Sequence, residues 1–246
     1  MSEPTTPRRY RAAFFELFGT LATGSTDDEA HMRLMESLVE HYRIQAEPSV
    51  LLKTFDGRLR ESRGRAQTSW VHHRELALDA FSALAADMDL RTGPGDREWF
   101  GEEYLRAHQS FVRLIPGGRE MLGELSRSGL HVGIIEDCDT RYLDRILCWL
   151  DIIPFIDSRT TTEDAVTGAA DHSIFRAALK KAGCEPRQAI FAGGLKDGAL
   201  GRAKDVGMTT VLLDSQMTEG ELDLVDFVAS SPARLVKIML ELAYTA

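Results

Sequence analysis

The 246-residue chain is long enough for one large domain, or for a domain with a sizeable insertion. Hydrophobic residues make up 43% and charged residues 27%, the proportions of an ordinary globular protein, which excludes collagen-like, low-complexity and wholly disordered chains. The formal net charge of −9 makes nucleic acid and membrane surfaces poor partners, and no apolar run is long enough to span a bilayer.

The cysteine content and the N-terminus bear on the cellular compartment. Cys138, Cys148 and Cys184 are too few and too scattered for a disulfide framework or a zinc site. The first ten residues, MSEPTTPRRY, lack the apolar core of a signal peptide. We therefore expect a cytoplasmic protein, and the oligomeric state is not predicted.

The N-terminal part of the chain begins with one strand and continues with helices. The segment 10–21 (YRAAFFELFGTL) predicts a short buried strand that ends in a Gly-Thr turn. Helical patterns then cover 28–44, 48–63, 70–88 and 96–112, with no strand signal among them. Four helices with short links predict an inserted all-α module of the bundle type.

After the PGG segment at 116–118, helices and short apolar runs alternate. The predicted helices cover 119–128, 140–150, 172–182, 197–206 and a terminal stretch from 232, and the strand-like runs are 131–135, 155–156, 189–192, 209–213 and 226–229. This alternation predicts an α/β fold with a doubly wound, Rossmann-like parallel sheet. The core would consist of 1–24 and 113–246, with the all-α cap inserted at 25–112.

Four segments, in order along nearly the whole chain, carry a resemblance to a known family. They are FFELFGTL at 14–21, GIIEDCDTRYL at 133–143, the stretch 155–163, and AIFAGGLKDGALGRAKDVGMTTVLLD at 189–214. In this order and spacing they resemble the four motifs of the haloacid dehalogenase superfamily, in its dehalogenase-like members. The helical insertion stands where that family carries its cap, so the resemblance implies the same α/β core with an inserted helical cap.

Several polar positions of the first two motifs depart from the family pattern. The family nucleophile is an aspartate, and Glu16 stands in its place. The second carboxylate of that motif is replaced by Phe18, whereas Thr20 keeps its family identity. The second-motif hydroxyl, which binds the transferring group in the family, aligns with Glu136.

The third and fourth motifs depart further. The position of the family lysine falls on Ala169, and the acids that hold magnesium fall on Gly194 and Ala199. Asp197 lies two residues before Ala199, so a shifted alignment could restore one acid but not the pair. The resemblance with these changes therefore implies neither a bound metal nor another cofactor.

These departures predict that the protein is not a phosphatase. Phosphoryl transfer needs neutralisation of charge, and a carboxylate about 4 Å from a phosphate oxygen costs roughly 4 kcal/mol at an effective dielectric constant near 20. We instead expect metal-independent general acid and base catalysis (isomerisation, elimination or cyclisation) by Glu16 and Glu136. In the fold that the resemblance implies, both lie at the carboxyl ends of adjacent strands, where their crowding would raise at least one pKa. The substrate would be a small molecule between core and cap.

Substrate-binding positions and two alternatives complete this hypothesis. The expected substrate-binding residues are Phe18, Thr20, Asp137 and Gly194. The first alternative is a non-catalytic protein whose crevice binds a ligand or a protein partner. The second is residual hydrolysis of the family type, with Glu16 as the nucleophile.

Two further groups of residues leave alternatives open. Asp137 and Asp139 could complete a cation site with Glu136, although acids at such positions more often cap the following helix. Five of the seven histidines lie in the predicted cap, and no pair has the HExxH spacing of a zinc site. Surface or core-edge positions are therefore the default interpretation of these side chains (His31, His41, His72, His73 and His108), with a ligand site as the alternative.

Overall fold

The chain forms two compact units. The computed structural model describes residues 9–24, 27–65, 71–165, 172–195, 198–213 and 223–244. The first unit, called here the α/β unit, comprises Met1–Thr23, Arg113–Asp137 and Leu150–Ala246. The second, the helical unit, comprises Gly24–Val112 and Cys138–Trp149, so it includes a helix beyond the insertion at 25–112.

The α/β unit is built on a parallel sheet. Its strands are β1 (Ala12–Phe15), β4 (His131–Glu136), β5 (Ser158–Thr161), β6 (Ala189–Gly193), β7 (Thr209–Leu213) and β8 (Phe227–Ala229), and the short strands β2 (Ala22–Thr23) and β3 (Arg113–Leu114) form a separate antiparallel pair. The order in the main sheet is β5-β4-β1-β6-β7-β8, with all neighbours parallel. This arrangement confirms the α/β fold with a Rossmann-like parallel sheet.

The helices lie close to their predicted positions. The helical unit contains α1 (Asp27–Tyr42), α2 (Pro48–Arg65), α3 (His73–Asp87), α4 (Pro94–Phe111) and α6 (Thr140–Trp149). The α/β unit contains α5 (Gly118–Arg127), α7 (Thr162–Ala165), α8 (Ser173–Ala182), α9 (Ala199–Val206) and α10 (Pro232–Tyr244). Helices α8 and α9 contact each other and the sheet, and α5 packs with α10, so helices cover the sheet in two groups. Among the described residues, no helix is long and apolar enough to cross a membrane.

The central strand β1 is apolar because it is enclosed by a strand on each side and by helices that pack on the sheet. All four of its residues are fully buried, and they carry no charge. The ring of Phe14 lies over Gly133 of β4, where an added Cβ would come within 2.5 Å of Phe14 Cδ1. On β6, Phe191 meets Phe175 of α8 edge to face, with ring centroids 5.2 Å apart. Strand β1 pairs with β4 on one side and β6 on the other, and these aromatic rings pack against the sheet around it.

One predicted strand is wrong. Residues 155–156 were expected in the sheet, but Ile153–Phe155 form a 3₁₀ turn and the strand begins only at Ser158. Pro154 has no N–H to donate to a neighbouring strand, which favours the turn. Strand β5 (SRTT) lies at the sheet edge, pairs only with β4 and consists of polar residues, of which Thr160 and Thr161 are fully buried. Because it has no apolar run, the sequence pattern did not predict this strand.

The helical unit has its own apolar core. Phe81 of α3 and Phe100 of α4 stack with ring centroids 4.2 Å apart and an interplanar angle of 11°, and Phe55 of α2 packs against Phe100. All three side chains are buried. At the edge of this core, His41 of α1 stacks on Trp99 with centroids 3.8 Å apart. The four predicted helices of the insertion therefore pack as a bundle with a continuous aromatic core.

Candidate active site

Three neighbouring strands end at the same edge of the sheet, and a residue that the sequence analysis identified stands at or directly after the end of each. Glu16 directly follows β1, Glu136 is the last residue of β4, and Gly194 directly follows β6. Because β4 and β6 flank β1 in parallel, these carboxyl ends are adjacent. Crevices at the carboxyl ends of parallel strands are where α/β sheets bind ligands.

The loop after β1 turns two backbone N–H groups towards Glu136. The carbonyl of Leu17 accepts hydrogen bonds from the N–H groups of Leu21 (2.9 Å) and Ala22 (2.8 Å), which closes a tight turn. Gly19 takes a φ of +80° in this turn, in the left-handed region that favours glycine. The N–H groups of Leu17 and Phe18 donate to Glu136 Oε2 at 2.7 and 3.2 Å. We call this pair of N–H donors the cradle.

A second backbone donor holds Glu16. The side chain is 8% exposed, and its Oε2 accepts a hydrogen bond of 2.7 Å from the N–H of Gly194. Glycine stands at both 193 and 194, and the two positions differ in the room that they leave for a side chain. An added Cβ at Gly193 would lie 2.7 Å from Phe191 Cε1, and one at Gly194 would lie 3.4 Å from Glu16 Oε2. The Glu16 carboxylate is therefore held in one place by the end of β6.

The electrostatics of the pair favour a proton on Glu136. Burial raises the pKa of Glu136 to about 8, the charge of Glu16 adds to this rise, and the cradle N–H groups oppose it. Asp137, whose side chain is exposed, raises the pKa further through its charge. Since Oε2 accepts both cradle hydrogen bonds, we place the proton on Oε1. At neutral pH the site therefore holds a neutral carboxylic acid beside Glu16.

The other predicted substrate-binding residues differ in their placement. Phe18 contributes its N–H to the cradle and is partly buried as a residue. Thr20 is 2% exposed, and among the described residues its Oγ1 has no hydrogen-bond partner. Gly194 contacts Glu16 through its N–H, and Asp137 stays exposed next to Glu136. The structure thus brings Glu16, Glu136 and Gly194 together with the cradle.

At the positions where the family carries its magnesium-binding acids, the described residues of this chain do not supply the ligands of a magnesium site. Magnesium prefers oxygen ligands, usually with at least one or two carboxylates. Glu16 supplies a carboxylate, whereas Phe18, Gly194 and Ala199 have no side-chain oxygen. The remaining acid of the fourth motif, Asp197, lies outside the described residues, as does Ala169 at the lysine position. We derive no catalytic step through a metal ion.

Asp139 was expected to cap the following helix or to join a cation site, and the structure gives its side chain another partner. Its two carboxylate oxygens accept hydrogen bonds of 2.9 Å from the N–H groups of His73 and Arg74. These residues begin α3, so Asp139 caps that helix, some 66 residues away in sequence. Nothing in the local sequence around Asp139 could indicate this partner.

Comparison with known proteins places this geometry in a family context. Over residues 19–213 the chain matches the family described as haloacid dehalogenase-like hydrolase. A glyceraldehyde 3-phosphate phosphatase from Pyrococcus furiosus is 25% identical over 242 residues, which cover 94% of each chain. A ribulose-1,5-bisphosphate 5-phosphatase from Halopiger xanaduensis is 24% identical over 177 residues, which cover 71% of this chain and 72% of that protein.

Solved structures with the same fold include both dehalogenases and phosphatases. A dehalogenase with an intermediate complex has a TM-score of 0.63 at 20% identity, covering 94% of this chain and 97% of its own. A HAD phosphatase from Thermococcus onnurineus has a TM-score of 0.61 at 21% identity, covering 93% and 97%. At these identities the likeness shows the fold.

The prediction that the protein is a metal-independent acid–base catalyst and not a phosphatase is contradicted by these relatives, several of which are named phosphatases. That prediction rested only on the side chains that the motifs lack. The cradle consists of backbone N–H groups, so it does not depend on those side chains. The resemblance inferred from the four motifs is confirmed, since the family match spans most of the chain. The chain belongs to the haloacid dehalogenase-like hydrolase family.

Proposed function

We propose that this protein hydrolyses a small phosphate monoester, with Glu16 as the nucleophile and the cradle as the holder of a phosphate oxygen. The observation that carries the proposal is the convergence of the Leu17 and Phe18 N–H groups on one carboxyl oxygen, at 2.7 and 3.2 Å. Paired backbone donors of this kind bind anionic oxygens without regard to side-chain identity. The phosphatases among the relatives support the same chemistry.

In this proposal the substrate takes the place of the Glu136 carboxyl group. A phosphate oxygen accepts the two cradle hydrogen bonds that Oε2 of Glu136 accepts in the structure. Glu136 moves aside as a neutral acid, because its pKa is raised to about 8. A neutral carboxyl group spares the substrate the repulsion of roughly 4 kcal/mol that a second carboxylate about 4 Å away would cause. The substrate therefore binds to the form of the protein in which Glu136 is protonated.

The reaction then proceeds in two balanced steps. An oxygen of Glu16 forms a bond to phosphorus, the phosphorus–oxygen bond to the alcohol breaks, and Glu136 gives its proton to the departing oxygen. Ionised Glu136 next takes a proton from water as the water oxygen forms a bond to phosphorus and the bond between phosphorus and Glu16 breaks, which releases Glu16 as a carboxylate. Inorganic phosphate leaves, and both glutamates return to their starting states. The N–H of Gly194 holds Glu16 in position through both steps.

The experiment measures release of inorganic phosphate from a panel of small phosphate monoesters that includes glyceraldehyde 3-phosphate and ribulose 1,5-bisphosphate. We expect turnover by the wild type and a loss of about a thousandfold or more in Glu16→Gln, because the nucleophile is removed. Glu124→Gln, which changes an exposed acid on α5, is the matched control and keeps full activity.

Two further readouts separate this mechanism from contaminating activity. Acid quenching during turnover is expected to trap a phosphate on the peptide that contains Glu16. The rate is expected to fall as pH rises through about 8, since Glu136 then loses its proton. Absence of turnover across the panel, or equal turnover by Glu16→Gln, contradicts the proposal.

A further inference from the structure

A second cluster of ionisable side chains lies in the helical unit. Asp27 and His31 are four residues apart at the start of α1, so they share one face of that helix. His108 lies in the last turn of α4. One ligand atom from each of the three residues lies within 4.8 Å of the others. The cluster therefore joins the first turns of α1 to the end of α4.

His31 has a nitrogen that lacks a hydrogen-bond partner. The residue is 2% exposed, and its Nδ1 lies 2.8 Å from Oδ1 of Asp56 on α2. An ionised carboxylate only accepts hydrogen bonds, so Nδ1 carries the hydrogen and the Nε2 lone pair is left over. Among the described residues, this buried Nε2 has no hydrogen-bond partner. A buried polar atom without a partner is costly, and such atoms often mark the place of a ligand or ion.

His108 is held in the same tautomer. Its Nδ1 lies 2.8 Å from the carbonyl oxygen of Tyr104, which can only accept, so Nδ1 donates and Nε2 again keeps its lone pair. The His108 and His31 rings meet edge to face, with centroids 5.3 Å apart. Histidines that bind metals characteristically donate their other N–H to a carboxylate or a backbone carbonyl. The partners Asp56 and Tyr104 supply one of each.

We propose that Asp27, His31 and His108 bind a divalent transition-metal ion of the zinc type. Two imidazoles and one carboxylate suit zinc and its first-row neighbours, and three protein ligands leave a position for water. Ligands of tetrahedral zinc stand about 3.3 Å apart, given bond lengths near 2.0–2.1 Å. The cluster closes around the ion by small side-chain rotations, chiefly of Asp27, whose side chain is 60% exposed.

Arg63, which pairs with Asp27, is compatible with the ion. Arg63 Nη2 lies 3.6 Å from Asp27 Oδ2, and both side chains are about half exposed, so the pair is weak and easily rearranged. The ion would tie together the two ends of the insertion, where the chain enters the helical unit at Gly24 and leaves it at Val112. None of these three ligands takes part in the proposed hydrolysis.

The test titrates the full-length, tag-free protein, stripped of metal by a chelator, with Zn²⁺ by calorimetry and with Co²⁺ by visible absorption. We expect one equivalent of tight binding and ligand-field bands of a four- or five-coordinate cobalt site. Asp27→Asn, a change at an exposed side chain that should not disturb folding, is expected to weaken Zn²⁺ binding by about 100-fold or more. Asp56→Asn, a change of the residue that orients His31, is expected to weaken it by about 10- to 100-fold.

The matched control is His41→Asn, on the same helix as His31 but stacked on Trp99 away from the cluster. Its metal affinity and cobalt spectrum should equal those of the wild type. His108→Asn should abolish the cobalt bands, and its helix content by circular dichroism shows whether it folds. Absence of one-equivalent binding, or unchanged affinity and spectrum in Asp27→Asn, overturns the proposal.

Discussion

The cluster around Glu16 and Glu136 and the cluster around His31 and His108 differ in the hydrogen-bonding groups that they offer to a ligand. At the sheet edge, the backbone offers N–H donors at Leu17, Phe18 and Gly194, and the carboxyl groups of Glu16 and Glu136 accept them. In the helical unit, His31 and His108 have both used their donors and keep lone pairs. The first cluster is therefore suited to an anion and the second to a cation.

This difference also shows how a site can be occupied before any ligand binds. The protein's own Glu136 accepts the cradle hydrogen bonds. Burial there, together with the charge of Glu16, disfavours its ionised form and raises its pKa to about 8. In the histidine cluster, Arg63 pairs with Asp27, but His31 Nε2 stays without a hydrogen-bond partner among the described residues. The occupation of the cradle by Glu136 can be tested by varying pH, whereas the proposed metal site can be tested by titration with the ion.

The largest expected effect concerns the internal occupant. Because the pKa of Glu136 is raised from 4.5 to about 8 in the folded protein, its contribution to stability is fully present below pH 4.5 and is lost as pH rises through about 8. Glu136→Gln keeps an acceptor for the cradle but cannot ionise. We expect its free energy of unfolding to exceed that of the wild type by several kcal/mol at pH 8, about 1.4 kcal/mol per pH unit over that window.

Urea denaturation at pH 5, 6, 7 and 8 measures this difference. The curves of wild type and Glu136→Gln should lie close together at pH 5 and separate steadily above it. Glu124→Gln, with its exposed side chain on α5, should follow the wild type throughout. Parallel curves for the wild type and Glu136→Gln would mean that Glu136 is ionised in the cradle, and the comparison between the two clusters would fail.

A smaller effect is expected where the backbone must approach Glu16. An alanine Cβ at position 193 would meet the buried Phe191 ring at 2.7 Å, so Gly193→Ala should destabilise the protein by about 1–3 kcal/mol. At position 194 the nearest atom is Glu16 Oε2 at 3.4 Å, so Gly194→Ala should change stability little and serves as the matched control. Equal urea midpoints for the two variants would show that the Phe191 ring or β6 shifts to make room for the added Cβ.

The sequence predicted the fold and the two glutamates at the strand ends, because these depend on local patterns of apolar and polar residues. Short apolar runs located β1, β4, β6 and β7, and the fold that the family resemblance implies placed the carboxyl ends of β1 and β4 side by side. The polar edge strand β5 could not be found in this way, since Ser158–Thr161 has no apolar run. Phe155 and Ile156 gave a false signal because hydrophobicity alone does not distinguish a strand from a partly exposed turn.

The details of both clusters depend on partners far apart in sequence. Glu136 meets the N–H groups of Leu17 and Phe18 across more than a hundred residues, and no side-chain motif records the direction of a backbone N–H. The spacing of Asp27 and His31 was a usable signal, since residues four apart share a helix face. His108 joins them only through the packing of α4 against α1, which the sequence does not specify.

An effect of about 1–2 kcal/mol is expected for the cap of α3. Asp139 satisfies the first two N–H groups of that helix and places a negative charge at its N-terminus, so Asp139→Ala removes both contributions. The urea midpoint should fall, whereas Asp79→Asn, a change at an exposed acid within α3, should leave it nearly unchanged. If Asp139→Ala were as stable as the wild type, the carboxylate would be solvated and free to serve a cation, as the sequence had left open.

The smallest effect concerns the charge beside the histidine cluster. The Arg63 guanidinium lies 3.6 Å from Asp27 Oδ2 and opposes a cation through its charge, although its half-exposed position weakens the repulsion. Arg63→Gln should therefore tighten Zn²⁺ binding by about two- to fivefold at low salt, and the gain should shrink as salt is raised. Arg33→Gln, a change at an exposed arginine on α1 paired with Glu36, serves as the control for net charge. An equal gain in both variants would mean that zinc senses only the net charge of the protein, whereas a gain confined to Arg63→Gln places the ion beside Asp27.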